Sequence, residues 1–385
     1  MPAVTTSSSP EEFPEIPRPG GLWPWLVVGL LLALWGTYLV VTPGSEPAPV
    51  PIPVGGGTPT PDTPASPTAA PPVAGGIRLR LAFVDSDTST FAAAAQRLAQ
   101  GVRDRTDGRV VIQLYSGGRF QDQRYGEREL VGLVKDGKLE MAMSTTSPLT
   151  NFNPRFEVLD LPFLFQTNEQ VDRVFDGPIG QNLFLGLEDH GLVGLGYLEL
   201  GFRIFSSSKA MKSLADFKGK KVRVLESVTC VRMAKAFGAE AVPAPVDRIY
   251  QMSEQGFIDA ADRTYPTYWD FELYRVQKYI TETRHTYSTK AVVANRQAFE
   301  SLTREDQAAL RQVMSEVSAW QRARQREEEL RVRDRCLEQG ITISTLDEAQ
   351  HAEFVQAVKP MYEEYRRMRD PELLRSIQEA EERGR

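Results

Sequence analysis

Residues 213–224 read Ser213-Leu-Ala-Asp-Phe-Lys-Gly219-Lys-Lys-Val-Arg223-Val224. The pattern predicts a short helix at Leu214–Phe217 and a strand at Lys221–Val224, with a further strand, Phe202–Ser206, before them. Successive strand residues point to opposite sides, so Val222 and Val224 share an apolar face and Arg223 takes the other. Where such a strand ends in a cleft between two lobes, its arginine offers a guanidinium fork. That fork pairs with a carboxylate through two hydrogen bonds and keeps its charge at any ordinary pH. Gly201-Phe-Arg203 places a second arginine at the start of the neighbouring strand. The competing reading of each arginine is a surface ion pair.

The alternation extends in both directions. Upstream run strand Ile77–Phe83, helix Ser89–Arg105, strand Val110–Tyr115, helix Gly126–Lys135, strand Leu139–Ser144, helix Asn168–Leu185 and strand Leu192–Leu198. Downstream come helices Val228–Phe237 and Val246–Glu254, strand Phe257–Ala261 and helix Trp269–Val276. Alternation of this kind builds a largely parallel sheet covered by helices on both faces. Val134-Lys-Asp-Gly-Lys-Leu-Glu-Met-Ala and Ser253-Glu-Gln-Gly-Phe-Ile-Asp-Ala-Ala echo one another, each a helix end, a glycine and a short strand, which points to two similarly built lobes.

Thr303 opens a long helix, with Asp306 at its capping-box position and an apolar stripe of Leu310, Val313, Met314, Val317 and Trp320. The middle of this helix, Gln321–Glu329, is almost entirely polar. A helix polar all round bridges lobes through solvent, so its arginines read as a solvated face. Strand Ile341–Ser344, helix Asp347–Arg369 and a charged tail, residues 370–385, that reads as a terminal helix complete the chain.

The first 76 residues have a different character. No charged side chain occurs from Pro19 to Ser45, and Leu22–Val41 is LWPWLVVGLLLALWGTYLVV. At about 1.5 Å per residue this run spans roughly 30 Å, the thickness of a hydrocarbon core. Its flanks are acidic, with no clean cleavage site, which favours a retained transmembrane anchor (22–41) behind a short tail (1–21) over a cleaved signal peptide. Arg18 is the sole basic residue before the run and none follows until Arg78, which places the N-terminus in the cytoplasm and the rest outside. Residues 42–76 contain eleven prolines among small residues, the composition of a semi-rigid spacer.

Composition narrows the function. A formal net charge of −6 argues against nucleic acid, which needs a basic footprint. The two cysteines, Cys230 and Cys336, form no zinc spacing, and sequence alone leaves open whether they bond to one another. The three histidines, His190, His285 and His351, form no metal cluster. No nucleophile elbow or phosphate loop occurs, so the chain does not read as an enzyme and implies neither cofactor nor metal.

On the run 213–224, and on Gly238-Ala239, Pro243, Tyr250, Gly256-Phe-Ile-Asp259 and Tyr274-Arg-Val-Gln-Lys-Tyr279, the chain resembles the DctP-type substrate-binding proteins of tripartite ATP-independent periplasmic (TRAP) transporters. Gly126-Glu127-Arg128-Glu129-Leu130 and Leu161-Pro-Phe-Leu-Phe165 add to the resemblance, which covers residues 77 to 369. It implies an α/β fold of the two-lobe periplasmic-binding-protein type, with a long helix spanning both lobes, here preceded by one transmembrane helix. Lobe I is expected at 77–200 plus about 290–325, and lobe II at 201–289 plus about 326–369. The implied activity is capture of a small organic acid by lobe closure and its delivery to small and large integral membrane subunits. By the same resemblance Arg223 fixes the substrate carboxylate, Arg203 lies near the ligand, and Glu127 supplies polar contacts from the first lobe.

One departure stands out. After Ile258-Asp259 such proteins continue Gly-x-Glu-Asn-Pro, whose Asn touches the ligand, whereas here Ala260-Ala-Asp262-Arg263-Thr264 follows. Two readings stay open: Arg263 binds a second anionic group, as in a dicarboxylate or similar acid, or Asp262, Glu226 or another acid neutralises it locally. Tyr265, Tyr268 and Trp269 either wall the cleft or pack in the core. A membrane-tethered carboxylate sensor or scavenger without a transporter is the alternative function.

Overall fold

The computed structural model describes residues 76–382, all within one compact unit, 66–385. The expected tail, anchor and spacer before Gly76 lie outside the described residues. Among the described residues, no helix is long and apolar enough to cross a membrane.

In chain order the elements begin with β1 (Ile77–Ala82), α1 (Thr90–Arg105), β2 (Val110–Tyr115), the hairpin β3 (Arg119–Phe120) and β4 (Gln123–Arg124), and α2 (Glu127–Lys135). Next are β5 (Met141–Thr145), α3 (Asn168–Phe175), α4 (Pro178–Leu185), β6 (Leu192–Phe202) and β7 (Ile204–Ser207). Then follow β8 (Lys221–Val224), α5 (Val228–Ala236), β9 (Glu240–Pro243), α6 (Ile249–Glu254), β10 (Ala260–Arg263), α7 (Tyr265–Asp270) and β11 (Tyr279–Glu282). The chain ends with β12 (Tyr287–Asn295), α8 (Arg296–Glu300), α9 (Arg304–Glu338), β13 (Thr342–Thr345), α10 (Glu348–Met368) and α11 (Pro371–Glu382).

Two sheets form the two lobes, in the orders β2-β1-β5-β12-β6 and β13-β11-β7-β10-β8-β9. Each is covered on both faces. In lobe I, Leu79, Phe91, Leu98, Met143 and Leu310 pack on one side, while Leu130, Val134, Tyr197 and Val293 pack on the other. In lobe II the pleat sorts neighbouring residues to opposite cores: Phe205 and Ala260 to one, Ile204 and Ala261 to the other. The sheets are mixed rather than largely parallel. β12 runs antiparallel to β5 and β6, and β7 antiparallel to β10 and β11. The reason is the crossings: the chain passes between lobes at β6–β7 and returns at β11–β12, and each crossing strand pairs beside the other. Gly201, at φ +102°, sits beside a register shift between β6 and β12 just before the first crossing, in a region that a Cβ disfavours.

The expected helix Asn168–Leu185 is two helices. Gly177 separates them, and Pro178, lacking an N–H, takes the first position of α4 where none is needed.

The long helix α9 also differs from its expected environment. Arg324 and Glu327 in its polar middle do face solvent, but the other face of that stretch is buried against β6. Gln321 Nε2 donates to the Glu199 carbonyl at 2.9 Å, Gln321 Oε1 accepts from the Glu199 N–H at 2.8 Å, and Gln325 donates to the Leu200 carbonyl at 3.2 Å. β6 ends its sheet, so its outer backbone groups need partners, and glutamines on the helix supply them. Arg322 pairs with Asp176 at 2.7 Å, and Arg326 joins Asp172 to Glu199 at 2.7 and 3.0 Å. The first half of α9 buries Leu310, Met314 and Val317 in lobe I; the second half buries Val332 and Cys336 in lobe II.

The expected terminal helix is α11, Pro371–Glu382, and it packs against lobe I. α11 buries Leu373, Leu374 and Ile377 in lobe I, and its Ile377 carbonyl accepts from Gln170 at 3.1 Å. Both cysteines are free and sit in different cores, Cys230 on one face of the lobe II sheet and Cys336 on the other, which answers the disulfide question.

Candidate functional site

A cavity of about 610 Å³ lies between the lobes. Asp85 just past β1, Thr145 at the end of β5, Glu226 past β8 and Arg263 at the end of β10 all face it. These are carboxyl ends of strands, where open α/β sheets place their ligands.

The lobe II wall is a cluster of arginines. Arg203, Arg223 and Arg263 line the cavity and are only 4, 2 and 1 % exposed. Arg203 donates through Nε to Asp262 Oδ1, and through its terminal nitrogens to the Asp262 carbonyl at 2.8 Å and Ser288 Oγ at 3.2 Å. Arg223 donates from Nε to the Ala244 carbonyl at 2.8 Å and from Nη1 to the Asp262 carbonyl at 3.1 Å. None of the three side-chain nitrogens of Arg263 has a hydrogen-bond partner among the described residues.

Asp262 sits behind this wall rather than on it. Its Oδ1 also lies 3.2 Å from His285 Nε2, and Thr283 Oγ1 lies 2.6 Å from the other ring nitrogen. Burial depresses the His285 pKa, so a neutral ring, donating from Nε2 to Asp262 and accepting from Thr283, satisfies both contacts. Burial works against the Asp262 charge, but Arg203 and then His285 hold its carboxyl far below the usual range. The arginines remain under-compensated. Burial first and Arg203 second bring Arg223 down to about 10, and burial, Arg223 and Arg203 depress Arg263 well below an ordinary arginine.

The lobe I wall is built on Lys290. Its ammonium donates to Asp85 at 2.6 Å and Glu127 at 2.8 Å, and Glu127 accepts the Thr145 N–H at 3.1 Å and the Thr145 hydroxyl. Burial opposes the Glu127 charge, but Lys290 and Thr145 outweigh it and lower its pKa. Burial wins at Asp85, whose pKa is raised. This wall therefore offers carboxylate and hydroxyl acceptors opposite the guanidinium donors.

A third group joins the lobes. Asp160 accepts from Ser147 Oγ at 3.0 Å and from Ser227 Oγ, in lobe II, at 2.6 Å. Burial raises its pKa to about 6.

Of the six residues singled out from sequence, Arg223, Arg203, Arg263 and Glu127 line one cavity. Asp262 backs it, and Trp269 is elsewhere. The Trp269 ring stacks on Tyr274 at 4.3 Å between centroids, with the Arg335 guanidinium 4.1 Å over it. Tyr265 and Tyr268 are core residues, their hydroxyls bound to Glu282 and to the Gln277 carbonyl. Neither Asp262 nor Glu226 forms a hydrogen bond to Arg263. Sequence reasoning missed Lys290 and Asp85. The signal for Lys290 was present: a lysine inside the otherwise uncharged strand Tyr287–Asn295, where an unpaired charge is costly.

The family described as "Bacterial extracellular solute-binding protein, family 7" (DctP) matches residues 81–368. The 2,3-diketo-L-gulonate-binding periplasmic protein YiaO of Escherichia coli K12 is 31% identical over 269 residues, 69% of this chain and 80% of YiaO. The C4-dicarboxylate-binding protein DctB of Bacillus subtilis is 25% identical, over 79% of this chain and 86% of DctB. Among solved structures, the sugar acid binding protein DctPAm of Advenella mimigardefordensis in complex with galactonate superposes with a TM-score of 0.76 at 25% identity, covering 80% of this chain and 99% of that one. A TRAP periplasmic solute binding protein of Haemophilus influenzae with bound L-gulonate gives 0.75 at 27% identity, covering 79% and 99%. This chain belongs to that DctP family, the non-catalytic extracytoplasmic solute-binding proteins of TRAP transport systems.

Proposed function

We propose that the chain captures a small organic acid between its lobes, with the acid's carboxylate on Arg223 and Arg203, and passes it to the small and large membrane subunits of a TRAP transporter. The observation that carries this reading is the charge imbalance of the lobe II wall, where buried arginines line a cavity and, among the described residues, Asp262 is the one carboxylate hydrogen-bonded to them. A bound carboxylate supplies the missing negative charge, and exclusion of water on closure strengthens the pairing. Asp85, Glu127 and Thr145 on the opposite wall suit hydroxyl groups along the acid. The acids bound by the relatives, gulonate and galactonate among them, support the same class.

We further propose that residues 22–41 anchor the protein to the membrane, with the binding lobes on the extracytoplasmic side and the proline-rich segment as spacer. A thermal-shift screen of the full chain against organic acids, sugar acids, amino acids and neutral sugars tests the ligand class. Stabilisation by acids but not by neutral sugars is expected, and stabilisation by neutral sugars alone contradicts it. Retention of the full chain in carbonate-washed membranes, with release when residues 1–41 are deleted, tests the anchor.

A further inference from the structure

We propose that Arg263 holds a second anionic group, so that the solute is a short hydroxylated diacid and Arg263 is the residue that selects it over the matching monoacid. The inference rests on the carboxylate-capture reading above and names the substrate within it.

The placement follows from strand register. β8 and β10 are parallel neighbours, with Arg223 paired to Ala261. Arg263 lies two residues further along β10, on the same face as Ala261, and therefore on the same face as Arg223. At a strand spacing of about 4.8 Å and a rise of about 3.3 Å per residue, their Cα atoms lie roughly 8 Å apart. Both residues line the cavity. Their surroundings differ. Arg223 is fixed by two carbonyls, while all three nitrogens of the 1 % exposed Arg263 lack a hydrogen-bond partner among the described residues.

A buried guanidinium without hydrogen-bond acceptors is costly, and a fold keeps one where a ligand supplies the acceptors. Asp262 does not supply them: as the preceding residue of β10 its side chain takes the opposite face, where Oδ1 holds Arg203 and His285 and the buried Oδ2 has no hydrogen-bond partner among the described residues, and its carbonyl is taken by Arg203 and Arg223. Two anionic groups a few carbons apart satisfy Arg223 and Arg263 together. The opposite wall suits the hydroxyls, since Asp85, Glu127 and Thr145 offer hydrogen-bond acceptors there, the two carboxylates being already paired to Lys290. The depressed pKa of Arg263, from burial first and then the neighbouring arginines, agrees with an arginine awaiting a counter-charge.

The test is calorimetric titration of the full chain with matched pairs that share a carbon skeleton: tartrate against threonate, and galactarate against galactonate. At least one diacid is expected to bind about 10- to 100-fold tighter than its monoacid, the range of one charge-assisted pair. Arg263→Gln should erase that preference, bringing each diacid within about threefold of its matching monoacid. The ligand-free Arg263→Gln protein should melt no lower than wild type, because it loses an unpaired buried charge. A merely structural arginine would give the reverse, and Arg263→Lys gives a second variant in case Gln folds poorly. Monoacids that bind as tightly as their diacids, or a diacid preference unchanged in Arg263→Gln, overturn this proposal and leave carboxylate capture standing. Failure of every acid to bind the folded wild type overturns both.

Discussion

Arg203 and Arg223 donate to one and the same oxygen, the backbone carbonyl of Asp262, at 2.8 and 3.1 Å. One guanidinium comes from the crossing between lobes and the other from β8, and a main-chain atom of β10 sets the position of both. Their orientation is therefore built into the sheet rather than left to flexible side-chain pairing. Arg203 also neutralises the Asp262 carboxylate, a contact that Arg263 does not make.

This difference yields opposite expectations for two neighbouring arginines. Arg203→Met leaves the buried Asp262 charge without its partner and should cost about 3–5 kcal/mol in urea unfolding. Equal stability of Arg203→Met and wild type would remove Arg203 from its positioning role.

Asp160 joins the lobes through Ser227, and burial raises its pKa to about 6. A carboxyl whose folded pKa exceeds its unfolded value adds stability that is fully present below the unfolded pKa, about 4, and is lost as pH rises through 6. The two values differ by about two units, or about 3 kcal/mol. Melting temperatures measured from about pH 4 to 8 should show Asp160→Asn with a flatter profile than wild type. An identical slope in both proteins would show that Asp160 does not titrate in that window.

Gln321 replaces a missing strand partner for β6, with both halves of its amide bonded to Glu199. Gln321→Leu strands a buried N–H and C=O and should cost about 2–3 kcal/mol. Chemical unfolding measures it. A cost below about 0.5 kcal/mol would indicate that the edge strand finds other partners.

Helix α11 lies beyond the residues matched by the family, yet packs Leu374 and Ile377 into lobe I at 0% exposure. Leu374→Ala should cost about 2–5 kcal/mol, and removal of residues 371–385 should cost more. Truncation without a shift in melting temperature would mean that the helix does not hold lobe I.

What the sequence revealed follows local pattern. The strand Lys221–Val224 and the helix opened by Thr303 appear where period and cap place them, because propensity and packing agree there. Within Gln321–Glu329 the solvated face holds at Arg324 and Glu327, while Gln321, Arg322 and Gln325 are buried, because periodicity reports side-chain polarity and not unpaired backbone in a strand far along the chain. Hydrophobic stripes likewise could not tell that Leu373, Leu374 and Ile377 at the C-terminus return to lobe I. At the site, Arg223, Arg203 and Glu127 were legible from motif resemblance. Trp269 does not line the cavity, and an aromatic on a short helix after a strand reads the same in sequence whether it faces a cleft or packs beside the core. Asp85 and Lys290, 205 residues apart in sequence and 2.6 Å apart in space, are joined only by topology.

The central claim is that the Arg223 guanidinium receives the carboxylate of a captured acid. The direct measurement is calorimetric titration of wild-type and Arg223→Lys protein with the acid that stabilises the wild type most, after circular dichroism has shown both folded. Lysine keeps the charge but loses the fork held by Ala244 and Asp262, so affinity should fall at least about 100-fold. Affinity unchanged in the folded variant would contradict the account.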